Sequence, residues 1–86
     1  MKETVGLDEI LPGECAVVTE LKNEAAMRRR LRDLGLVEGS FVECVGKSPL
    51  GDPSAYLCRG AVIALRGCDA KEIRVKRSRG RGRTWD

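Results

Sequence analysis

Turn residues cut this chain so often that, with one exception, no long element fits between positions 14 and 75. Five short runs lie between the cuts: 14–21 (ECAVVTEL), 41–46 (FVECVG), 54–58 (SAYLC), 61–66 (AVIALR) and 73–75 (IRV). Each is rich in β-branched and small apolar residues and bounded by turn signals, the pattern of a strand. Pro12-Gly13 fits the centre of a type II turn, because glycine accepts the positive φ that the third position needs. Residues 7–13, LDEILPG, read as a short helical turn ended by that reverse turn. A second turn, VEGS at 37–40, leads into the next strand. Arg59-Gly60 is so short a joint that it makes either a tight hairpin or a sharply bent continuous strand.

The exception is the stretch from Asn23 to Leu36. Met27, Leu31 and Leu34 fall at i, i+4 and i+7, which predicts one apolar helix face turned inward. Asn23 is the expected N-cap, with Glu24 in the first turn where negative charge suits the helix dipole. Gly35 is expected to end the helix in the left-handed conformation, with Leu36 packing back on Leu31. Near the end, Asp69 is expected to cap a single turn at 70–72.

A chain of 86 residues holds one domain. Five short strands and one real helix predict a mainly β fold: a small five-stranded SH3-like barrel, with the α-helix inserted after the first strand. Closure would remove exposed strand edges. The net charge of +3 is localised. Lys76, Arg77, Arg79, Arg81 and Arg83 face only Asp86, so residues 1–75 are nearly neutral. The expected division is a barrel domain at 1–76 and a basic Arg/Gly tail at 77–86, too poor in apolar residues to order itself. No apolar run approaches the ~20 residues of a membrane span, and the start has no signal-peptide core, so a cytoplasmic location is the default.

The connection KSPLGDP, 47–53, is the odd one. A tight hairpin uses about two residues, typically Asn-Gly or Asp-Gly. Here Asp52 follows its glycine, and Pro49 and Pro53 fix the backbone, so the loop is longer and stiffer than connection requires.

Little supports catalysis. The chain has no histidine to act as a general base, no nucleophile elbow and no phosphate-binding glycine loop. Its single Phe, Tyr and Trp are too few for a polyproline groove or a stacking platform for single-stranded nucleic acid. Cysteines at 15, 44, 58 and 68 form no Cys-x-x-Cys pair, which disfavours a zinc ribbon or a redox motif. Cys15, Cys44 and Cys58 are expected as buried thiols, and Cys68, beside Gly67 and Asp69, as the exposed one. What remains is the arginine-rich helix, MRRRLRDLGL, and the stiff loop. Arginine offers planar, multi-donor recognition of carboxylates and phosphates, so the helix reads either as a solvated face or as a docking surface.

These same residues carry a family resemblance. LDEILPGE, then RRRLRDLGLVEGSFVECVGKSPLGDPSAYLCRG and ALR, resemble the ferrous iron transport protein A (FeoA) family over residues 7–75. The domain is also similar to the C-terminal SH3-like domain of iron-dependent repressors. The most specific elements are Arg30-Leu31, Leu34-Gly35-Leu36, Gly39, Pro49 to Pro53, Arg59-Gly60 and Ala64-Leu65-Arg66. Ala61 departs from the family pattern, which often has a bulkier residue there, and the Arg/Gly tail goes beyond it.

The resemblance implies a non-enzymatic accessory protein of bacterial ferrous iron uptake, partnered with the cytosolic part of the permease FeoB. It implies no catalytic residues, no small-molecule substrate, membrane contact only through the permease, and no agreed metal-ligand set. The expected partner-binding residues are Arg29, Arg30, Arg32, Leu50 and Asp52. Two alternatives stay open: a sensor domain that binds Fe2+ or another divalent metal weakly, through carboxylates or Cys68, and nucleic-acid binding through the tail. Without histidine or clustered ligands, tight Fe2+ binding is disfavoured.

Overall fold

In the computed structural model, which describes residues 4–50 and 52–78, one antiparallel sheet wraps a single apolar core. The strands are β1 (Val5–Gly6), β2 (Cys15–Leu21), β3 (Phe41–Lys47), β4 (Ser54–Cys58), β5 (Ala61–Leu65) and β6 (Ile73–Ser78). Helix α1 (Ala25–Asp33) follows β2, and a short α2 (Gly67–Ala70) follows β5. A 3-10 turn at Leu7–Glu9 follows β1. The sheet order is β1-β6-β2-β3-β4-β5.

Two expectations about the sheet are corrected. It has six strands rather than five, because Val5 and Gly6 pair with Val75 and Arg74. Two residues carry no readable period, so only the long-range partner reveals them as a strand. The sheet is also not closed: β1 and β5 stand at its ends, not hydrogen-bonded to each other. The final strand continues through Arg77 and Ser78, past the expected boundary at 76, because β2 offers pairing partners as far as Cys15. The rest of the Arg/Gly tail lies outside the described residues.

Local chemistry explains the turns. Pro12-Gly13 forms the expected turn, with Gly13 at φ 93° and the Glu14 amide donating to Leu11 O at 2.8 Å. Gly39, at φ 92°, does the same between Val37 and Ser40. At the end of α1 the Leu36 amide donates to Leu31 O at 2.9 Å and the Gly35 amide to Arg32 O at 3.0 Å. With Gly35 at φ 97°, this is the expected left-handed termination, carrying both bonds of a Schellman motif.

The helix start differs from expectation. Glu24 is the N-cap residue, and Asn23 donates its Nδ2 to Asp69 O at 3.0 Å. Its Oδ1, the atom a cap would use, is buried and accepts no hydrogen bond among the described residues. Leu34 is corrected as well: it is the C-cap residue, half-exposed, while Leu31 is buried and Met27 packs on the core. Helical periodicity stops describing side-chain direction once the backbone leaves the helix. Asp69 is no cap either, since α2 begins earlier, at Gly67, with Arg66 as N-cap.

The core includes Leu7, Ile10, Val18, Leu31, Leu36, Val42, Tyr56, Ile73 and Val75, all nearly inaccessible. Cys44 and Cys58 are buried and Cys68 is exposed, as expected, whereas Cys15 is only half-buried. Its alternation places it on the outer face of the sheet, opposite to Ala16.

Burial pushes the Tyr56 phenol and the Cys58 thiol above their ordinary pKa values. Both groups favour the protonated folded state, so their stabilisation is complete below the unfolded pKa values and is lost as pH rises through the folded ones. The melting temperature is therefore expected to hold near neutrality and to fall above about pH 9, first through Cys58 and above about pH 10 through Tyr56. Tyr56→Phe should remove the upper part of that fall in a pH series of thermal melts.

Candidate interaction surface

Gly35 is the point where α1 and the β4–β5 hairpin meet. Arg59 and Gly60 form a two-residue turn between the paired Cys58 and Ala61, with φ values of 53° and 82°. Positive φ at both central positions is the geometry of a type I′ hairpin. This settles the joint as a tight hairpin. The Arg59 side chain then lies against the end of α1, so close that a Cβ on Gly35 would stand 2.8 Å from Arg59 Cδ. The Gly35 carbonyl accepts from Ser40 Oγ at 3.1 Å and from the Cys58 thiol at 3.7 Å. The family-like elements around Gly35, Ser40 and Arg59-Gly60 thus belong to one junction.

The stiff loop sits at the other end of β4. Ser48 receives the Asp52 amide on its Oγ at 2.9 Å, and Asp52 Oδ1 accepts the Gly67 amide at 2.8 Å. Asp52 therefore caps α2 from outside the helix, which satisfies an amide that the helix start leaves open. It acts as a brace. Leu50, held between Ser48 and Asp52, is 91% exposed. Asp52→Ala is expected to cost about 0.5–2 kcal/mol, the range of a lost N-cap, read as a lower denaturation midpoint at unchanged slope.

Arg29, Arg30 and Arg32 are all exposed on α1, while Arg28 is half-buried and donates to Asn23 O at 2.9 Å. At 3.6 residues per turn, Arg30 and Arg32 point about 200° apart, to opposite flanks, with Arg29 between them on the outer side. The helix starts near α2, through the bond from Asn23 to Asp69, and ends against Arg59. The loop lies beyond the Ser54 end of β4 and Arg59 beyond its Cys58 end, roughly 17 Å away for five residues of strand. The five expected residues therefore lie on two separate elements, the helix and the loop beyond the Ser54 end of β4, and the helix arginines themselves diverge.

A different surface escaped the sequence reading. Alternation turns Phe41, Glu43 and Val45 of β3, Leu57 of β4 and Val62 of β5 to the outer face of the sheet. Phe41 and Val62 are 66% and 64% exposed. A groove of about 410 Å³ runs over this face, lined by Cys15, Phe41, Glu43, Leu57, Arg59 and Ser78 among others. The visible signal was the alternation of Phe41 with buried Val42 and Cys44. A second groove, of about 600 Å³, is polar and mixes Asp8, Glu9, Glu20 and Glu72 with Lys22 and Arg74. Among the described residues, no group of three or more His, Cys, Asp or Glu side chains is placed to hold a metal ion. No described helix is long and apolar enough to cross a membrane.

A family model described as the FeoA domain matches residues 5–77. A Fe(2+) transport protein A/Fe(2+) transporter FeoB fusion protein of Porphyromonas gingivalis is 31% identical over 70 residues, covering 81% of this chain and 8% of that protein. Among solved structures, the FeoA protein of Chlorobium tepidum superposes with a TM-score of 0.81 at 37% identity, over 94% of this chain and 80% of that one. The zinc complex of Stenotrophomonas maltophilia FeoA, described as a procaryotic SH3 domain protein, gives 0.68 at 36% identity, over 81% and 87%. A manganese-dependent transcriptional repressor gives 0.82 at 16% identity, over 91% of this chain and 38% of that one, a likeness of fold alone.

Proposed function

The chain belongs to the FeoA family, and from that premise we propose that it is a non-enzymatic accessory protein of bacterial ferrous iron uptake that docks on the cytosolic part of a FeoB-like permease. The observation that carries this reading is the relative in which transport protein A and the FeoB transporter form one polypeptide. Fusion holds two modules at millimolar effective concentration, which is useful where their separate contact is weak. The SH3-like fold suits a binding module.

The docking residues in this reading are Leu50 on its braced loop, with Arg29, Arg30 and Arg32 on α1. Leu50 supplies an apolar anchor between Ser48 and Asp52, which are tied by the bond from the Asp52 amide to Ser48 Oγ, and that tie lowers the conformational entropy lost on binding. Arg29 and one flanking arginine supply cations for carboxylates on the partner. Asp52 contributes by positioning Leu50 rather than by contact. The protein would act in the cytoplasm and approach the membrane only through the permease.

Titration of the full chain into the soluble cytosolic domain of a FeoB permease tests this. Saturable binding in the micromolar range, weakened by Arg29→Glu and less so at high salt, is the expected result. Absence of binding at tens of micromolar overturns it. The metal-sensor alternative draws on a likeness of fold alone.

A further inference from the structure

The two ends of the open sheet are not alike. At one end β1 is two residues long and runs straight into the 3-10 turn, which leaves little edge to pair with. At the other, β5 is a regular five-residue strand, AVIAL, paired to β4 without a register shift. It carries no charge, proline or bulge, the usual guards of an exposed edge. The two-residue turn makes Cys58 and Ala61 a bonded pair, so bonded pairs recur at Tyr56–Ile63 and Ser54–Leu65. The amides and carbonyls of Val62 and Ala64 then point away from β4, and no described group bonds to them.

We propose that β5 is a dimerisation edge: β5 of a second copy pairs with it antiparallel, about a two-fold axis at Ile63, and the two sheets become one. A two-fold contact uses the same patch on both molecules. Unpaired backbone groups along an edge are matched in kind by another extended backbone. In this register Val62 lies opposite Ala64 of the second copy, and Ala64 opposite its Val62. Each pair exchanges both of its bonds, so no free group of these residues is left over. Charge favours the antiparallel sense. The Arg59-Gly60 end of β5 is cationic, whereas beyond Leu65 the carboxylates of Asp52 and Asp69 outnumber Arg66. Antiparallel pairing sets these unlike ends side by side. On the outer face, Ser78, Cys15, Glu43, Leu57 and Val62 each pair with the next and form one row across five strands. Pairing at the edge continues that row into Ala64 of the second copy and covers Val62, which is 64% exposed. A single strand pair buries less than the ~1,200 Å² of a standard interface, so the dimer is weak, with Kd ~0.1 mM. The pairing is independent of the permease reading.

Sedimentation equilibrium and amide hydrogen exchange of the full chain at increasing concentration test this. The expected mass rises from one chain towards two, and a Kd of ~0.1 mM makes exchange at Val62 and Ala64 about fourfold slower at ~1 mM than at ~10 μM. Ala64→Lys puts an ammonium on the edge and is expected to weaken association at least about tenfold, removing both effects. Val62→Pro should do the same, because it deletes an amide that β4 does not use. Both positions are exposed, so the fold is kept, which circular dichroism checks. Phe41→Ala, on the outer face of β3, should associate like wild type. A chain that stays monomeric at ~1 mM, about ten times the expected Kd, overturns the proposal. Association that survives Ala64→Lys, or that Phe41→Ala abolishes, overturns it as well, since the contact would then be the sheet face and not its edge.

Discussion

Tyr56→Ala is expected to lose about 3–5 kcal/mol of stability, the range for removing a fully buried aromatic side chain. For a chain of 86 residues total stability is about 4–13 kcal/mol, so the variant is expected to be largely unfolded or to melt roughly 15–30 °C lower. The ring is wholly inaccessible and is flanked across the sheet by buried Cys44 on β3 and buried Ile63 on β5. It is the one aromatic side chain in the described core, since Phe41 faces outward. No neighbouring side chain has the volume to refill the space. The hydroxyl contributes much less: it donates to Leu7 O across a long 3.4 Å, so Tyr56→Phe should cost about 1 kcal/mol or less. Thermal melts of the two variants separate cavity from hydrogen bond. A Tyr56→Ala protein melting within a few degrees of wild type would show that the ring does not hold the core together.

Leu50→Ala is expected to weaken binding to the permease's cytosolic domain by about tenfold, as truncation of an anchor residue does. It should leave stability unchanged within about 0.5 kcal/mol, because the side chain is 91% exposed. That combination separates a docking residue from a structural one. Asp52→Ala should behave differently, lowering both quantities: releasing Gly67 destabilises α2, and the loosened loop orders Leu50 less well on binding. Calorimetric titration with matched melts reads both. If Leu50→Ala binds like wild type, the loop is a brace alone and the docking face lies elsewhere.

Where a feature depends on the backbone of a few successive residues, the sequence was readable. Gly13 and Gly35 show this, because a positive φ at a turn or helix end leaves one favoured residue type. The strands of the core were equally legible, since alternating burial in Ser54–Cys58 and β-branched content in Phe41–Lys47 act residue by residue. The candidate docking residues were read as chemistry, not as arrangement. Arginines on a helix are visible in a string, but their division between two flanks follows from the turn of the helix against the core.

By itself, then, the sequence determined a small β domain with one amphipathic helix, the sites of its turns, the absence of histidine chemistry and the FeoA likeness of its motifs. Local dihedral preferences and composition suffice for all of these. Only the tertiary structure decided that Val5 and Gly6 form a strand and that Asp52 reaches across to cap α2. It alone put the Arg59 side chain against Gly35 and aligned Ser78, Cys15, Glu43, Leu57 and Val62 in one row. Each of these depends on strand register between residues far apart in the chain. Register comes from burying one face of the whole sheet at once, which no short stretch of residues encodes.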